Sequence, residues 1–82
     1  MSKWDRFRQR LLSKQADNNI DFADLCHYVE MLGFAAHPDN DGSHNVYGKE
    51  GIVEIINLQP DKSSAKSYQV RQVRNLIVKY SL

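Results

Sequence analysis

Apolar residues recur along the first fourteen positions with the period of a helix. Trp4, Phe7 and Leu11 fall at i, i+3 and i+7, Leu12 lies beside them, and the other positions are polar and largely basic. This spacing predicts a helix over residues 3–14. Ala16-Asp17-Asn18-Asn19 follows as a connector of turn formers. A second helix opens at Asp21, whose carboxylate can accept from the free amides of a first turn, with Asp24 three residues on. Ile20 and Leu25 stand at the positions of a hydrophobic staple, and Phe22, Leu25, Cys26, Val29 and Leu32 keep helical spacing up to Gly33. The pattern then shortens. Phe34 to His37 starts a strand, Pro38-Asp39-Asn40-Asp41-Gly42 is a dense turn signal, and residues 43–48 form the next strand. After Gly48-Lys49-Glu50-Gly51, the β-branched run from Ile52 to Leu58 is the clearest strand of the chain. Asp61 to Lys66 reads as a loop, and Ser67 as the cap of a last helix. Its apolar stripe is Val70, Val73, Leu76, Ile77 and Tyr80, with Arg71 and Arg74 on its exposed face.

Two short loops between three strands make an antiparallel meander. The expected fold is therefore α+β, in the order α-α-β-β-β-α, with a three-stranded antiparallel sheet packed on helices. The second and last helices share one layer, and the first is seated against it through Trp4 and Phe7. One domain spans residues 1–82, with 1–16 as a helical extension and 20–82 as the core; 82 residues leave room for one small core.

Charge sharpens this picture. The net value of +1 conceals three blocks. Lys3, Arg6, Arg8, Arg10 and Lys14 stand against Asp5 alone; nine acids between residues 15 and 61 face only Lys49; Lys62, Lys66, Arg71, Arg74 and Lys79 meet no acid. Such segregation points to a polyanionic partner, with solvated helix faces as the plain alternative. No apolar run approaches the roughly 18 residues of a membrane span, and no hydrophobic leader is apparent, so a cytoplasmic protein is expected. The single cysteine, Cys26, excludes an internal disulfide and falls on an apolar stripe as a core residue.

The candidate chemistry centres on Gly42-Ser43-His44, where a turn passes into a strand. An imidazole titrates near neutrality and can give or take a proton there. Alternation puts His44 and Val46 on one face and Ser43, Asn45 and Tyr47 on the other. A buried Val46 would then aim His44 toward the helix layer, unless a bulge at Gly42-Ser43 uncouples the two. Three histidines and one cysteine match no zinc-binding spacing, so metal-independent chemistry without a cofactor is expected. Lys62 and Lys66, with Arg71 and Arg74, could hold phosphates, and the amides around Tyr68 offer a second anion site. Tyr47 and Tyr68 could stack on a base but are expected to pack in the core. His27 is expected on the exposed side of its helix, and His37 at a strand end.

The order of elements, with Gly42-Ser43-His44 opening the middle strand, resembles the HicA family of bacterial toxin–antitoxin toxins. The likeness runs through Leu32-Gly33-Phe34, the aromatic Tyr47, Ile55-Ile56-Asn57-Leu58-Gln59-Pro60, Ala65-Lys66 and the stretch from Tyr68 to Ile77. It covers nearly the whole chain and matches a branch with an extra N-terminal helix. The resemblance implies a fold like a double-stranded-RNA-binding domain and a ribonuclease that cuts messenger RNA. It places His44 at the catalytic position and implies a HicB-like antitoxin partner that covers the site. Two departures stand out. Family members often carry arginine or lysine before the triplet and a second histidine after it, where this chain has Pro38-Asp39-Asn40-Asp41 and Asn45. The acids repel phosphate locally. The residues themselves leave open a non-catalytic RNA-binding module of the same fold, or a protein-interaction domain.

Overall fold

The computed structural model describes residues 2–38, 40 and 45–82. The elements run α1 (Lys3–Leu12), α2 (Phe22–Met31), β1 (Ala35–Ala36), β2 (Asn45–Gly48), β3 (Ile56–Leu58), β4 (Pro60–Asp61), β5 (Ser64–Ala65) and α3 (Ser67–Tyr80). The fold is α+β: three helices with an antiparallel sheet in the order β1-β2-β3, beside a two-stranded hairpin of β4 and β5. No helix among the described residues is long and apolar enough to cross a membrane. The Gly42-Ser43-His44 triplet lies outside the described residues.

Local signals set the two ends of α2. The Asp21 carboxylate accepts the Asp24 N–H at 3.0 Å. At the other end Gly33 takes φ +100, which a β-carbon would resist. The Gly33 N–H donates to the Glu30 carbonyl and the Phe34 N–H to that of Val29, the paired bonds of a Schellman motif, with Phe34 and Val29 both buried. The Lys49 ammonium adds a bond to the Leu32 carbonyl at 3.1 Å, a cation at the negative helix end. The last helix departs from expectation. Its cap position is Lys66, with no side-chain cap, and Ser67 is its first residue.

The strands are shorter than the apolar runs suggest. The ladder between β2 and β3 ends at the pair of Tyr47 with Ile56. The partner chain then turns away: the Ile52 N–H bonds to the Lys49 carbonyl, and Gly51 takes φ +88, as the third residue of a type II turn requires. Residues 52–55 therefore lie outside the ladder. They are tied to α3 instead, through Gln72 on the Ile55 carbonyl and through Lys79 and Tyr80 on Glu54. Those two donors hold the Glu54 carboxyl down to about 2. Conversely, the expected loop at 61–66 contains the β4–β5 hairpin. Its backbone bonds to the connector before α2, Phe22 N–H to the Ser63 carbonyl and Ala65 N–H to the Ile20 carbonyl, make a pairing that local propensity does not announce.

On β2 the buried residue is Tyr47, while Val46 is half-buried; the orientation expected for His44 falls outside the described residues. Tyr47 is buried near Cys26 of α2, and burial pushes both the phenol and the thiol above their ordinary ranges. Cys26 is half-buried at the margin of the core. Asn40 does the work of a strand residue. Its side chain accepts the Val46 N–H at 2.9 Å and donates to the Val46 carbonyl at 3.1 Å.

The core joins Leu25, Val29, Tyr47, Ile56, Leu58, Val70, Val73 and Ile77, and α1 contributes Phe7 and Leu11 to the same cluster. Trp4 and Phe7 pack on Tyr28 of α2, with Trp4 also against His27, which is exposed as expected. Arg8 donates to the Tyr28 hydroxyl and to the Leu82 carbonyl, both at 2.9 Å.

The connector after α1 is clamped to α3 by Arg74, which lies in the core rather than on the exposed face assigned to it from the sequence. Only 6% exposed, it meets both carboxylate oxygens of Asp17 at 2.7 and 3.1 Å and donates to the Leu11 carbonyl at 3.3 Å. The Arg74 bonds, reinforced by the charges of Arg71 and Lys14, hold the Asp17 carboxyl below its ordinary 3.8. Because the folded value is depressed, this stabilisation is complete above about pH 4 and is lost as pH falls through the folded pKa. Asp17→Asn should therefore cost about 1–3 kcal/mol in urea denaturation at neutral pH. The gap to the unsubstituted protein should shrink as pH falls below about 4 and the Asp17 carboxylate is neutralised; a gap independent of pH would contradict the clamp.

Candidate nucleic-acid interface

The N-terminal end of α3 gathers the polar groups of this surface. The helix starts where the chain leaves the β4–β5 hairpin, and buried Val70 and Val73 seat its first turns on the sheet. Gln69, also buried, accepts the Gln59 N–H at 2.8 Å, fixing the helix against the end of β3. The Lys66 ammonium donates to the Gln59 side-chain oxygen at 3.1 Å, which draws it back from the helix end. The first amides of α3 thus keep no side-chain partner, and such an end attracts anions.

Around this end lies an open depression of about 380 Å³, lined by Asn18, Asp61, Ser64, Lys66, Ser67 and Tyr68. Lys62 occupies the tip of the hairpin in the left-handed conformation, φ +59, and is exposed. Arg71, exposed, stands one turn beyond Tyr68 on the helix surface. Tyr68 is 55% exposed, contrary to the core position expected for it, while Tyr47 is buried as expected. Its ring therefore offers a face to a planar ligand. Asp61 is the acid that lines the depression.

Of the residues singled out from sequence, Lys66 and Tyr68 line the depression, Lys62 sits between its lining residues Asp61 and Ser64, and Arg71 follows one turn after Tyr68 on α3. Arg74 does not belong to this group, because Asp17 consumes its charge inside the fold. Ser43 and His44 lie outside the described residues. His37 is an exposed residue just beyond β1, its N–H bonded to the Val46 carbonyl. Sequence reasoning did not find Asn18 or Asn40. Asn18 is one of several turn formers in its connector. Asn40 sits inside a turn signal that hides its role as a partner of β2. Among the described residues no three metal-ligating side chains converge.

Compared with protein-family models, with curated proteins and with solved structures, the chain gives no match in any of the three.

The contrast between two arginines one turn apart tests the assignment. Arg74→Gln should lower stability by about 2–3 kcal/mol in denaturant titrations, since it strands Asp17 and the Leu11 carbonyl. Arg71→Gln should stay within about 0.5 kcal/mol of the unsubstituted protein. Equal effects would place both arginines in the same environment and contradict the division.

Proposed function

We propose that this protein is the toxin of a toxin–antitoxin pair, a cytoplasmic, metal-independent endoribonuclease of the HicA type that acts on messenger RNA. The carrying observation is the surface at the start of α3. Lys62, Lys66, Arg71 and the open helix end supply charge for phosphates, and exposed Tyr68 supplies an aromatic face. This surface belongs to an α+β fold in which α2, the sheet β1-β2-β3, the β4–β5 hairpin and α3 follow one another; a double-stranded-RNA-binding-domain-like class is part of the proposal. Cleavage then needs a group to take the 2′-hydroxyl proton and one to protonate the leaving 5′-oxygen; the imidazole of His44 is assigned to this acid–base work. Positive charge and amide donors near the phosphate stabilise the charge that develops in the transition state. A HicB-like antitoxin is the partner that keeps such an activity in check.

The test is expression of the chain alone in bacteria, with total RNA followed over time. Growth should stop and messenger RNA should fragment, and His44→Ala should relieve both while leaving the protein folded by circular dichroism. RNA bound but never cut would instead support a non-catalytic module of the same fold. Undisturbed growth at good expression would contradict the proposal.

A further inference from the structure

The basic N-terminal block has no role in the surface described so far, yet the fold brings it there. Lys3, Arg6 and Arg10 lie at i, i+3 and i+7 on α1, so they form one row along its flank. With Phe7 and Asp24 they line an open groove of about 180 Å³ between α1 and the start of α2. Lys3 is paired with Asp24 at 3.4 Å. Arg6 is exposed and its guanidinium has no hydrogen-bond or ion-pair partner among the described residues. Arg10 donates to the Asn19 carbonyl at 2.8 Å and keeps its charge. That bond is the link: Asn19 adjoins Asn18, which lines the depression at the start of α3. The row on α1 therefore runs into the connector that borders Lys66, Ser67 and Tyr68.

We infer that Arg6 and Arg10 extend the RNA-binding surface, contacting backbone phosphates beyond those held at the start of α3. The inference rests on the reading of this protein as an RNA binder, and it holds whether or not the RNA is cut. The chemistry of the surface favours a nucleic-acid backbone over an acidic protein. The core of a protein interface is apolar and aromatic. Among the described residues, the exposed large apolar side chains are Met31, Val53, Ile55, Tyr68 and Val78, none of which lies on α1 or its connector. Exposed guanidinium forks suit phosphate oxygens. The acids of the groove wall do not cancel the row, since Asp24 is met by Lys3.

The test uses the full chain carrying His44→Ala, so that RNA stays intact, and a fluorescein-labelled single-stranded RNA of 20 nucleotides. Anisotropy titrations at several salt concentrations give the affinity and its salt dependence. Arg6→Gln with Arg10→Gln should weaken binding about tenfold at low salt and reduce the slope of log K against log salt by about 1.4, two contacts at roughly 0.7 each. A thermal melt should show both forms folded. Unchanged affinity and slope would overturn the inference, as would poly-glutamate competing as well as RNA of equal charge, or an absence of RNA binding. RNA binding that depends on the two arginines in a protein that never cuts RNA would uphold this inference while contradicting the ribonuclease.

Discussion

The contact on which this small fold turns is the buried pair of Arg74 and Asp17. It joins the connector after α1 to the middle of α3, and the bond to the Leu11 carbonyl draws in the end of α1 as well. Burying a guanidinium is costly unless its donors are met, and the two-pronged match to one carboxylate meets the cost only in part, since the Arg74 Nε–H has no partner among the described residues. What the pair secures is position. Phe7 and Leu11 complete the core from one end of the chain while α3 completes it from the other. The two basic blocks, far apart in sequence, become neighbours.

A sheet this small has edges to protect, and side-chain amides do much of that work. Gln69 and Gln72, one turn apart on α3, bond to the backbone of Gln59 and Ile55 on either side of β3. Asn40 meets both polar backbone groups of Val46 at the opposite flank of β2. Such bonds satisfy groups that would otherwise recruit a foreign strand. They also explain how a three-residue strand and a two-residue strand hold their register. On β3 Asn57 is exposed between buried Ile56 and Leu58, and Val53 and Ile55 are exposed in the segment that leads into it.

How much of this was legible in the sequence depends on how local each cause is. The start and end of α2 were readable because Asp21 and Gly33 act on their own turns. The meander was readable from its glycines, though β3 was over-extended because the turn at Lys49–Ile52 removes its partner. The β4–β5 hairpin escaped because its stabilising bonds come from Ile20 and Phe22, some forty residues away in the chain. Arg71 and Arg74 look alike on a helical wheel. What separates them is Asp17, and no periodicity within α3 reveals that partner. Tyr68 carried the same ambiguity. As an aromatic at a helix start it suited either core or surface, and the placement of α3 on the hairpin decided for surface.

The central claim is that the two basic blocks form one RNA-reading surface around the start of α3. The most direct measurement is a ¹H–¹⁵N spectrum of the His44→Ala chain titrated with single-stranded RNA. The amides of Arg6 and Arg10 on α1, Asn18 and Asn19 in the connector, and Lys66 to Arg71 on α3 should shift together and saturate at one RNA concentration. Shifts confined to the outer sheet face around Val53 and Ile55, or separate saturation of the two blocks, would contradict it.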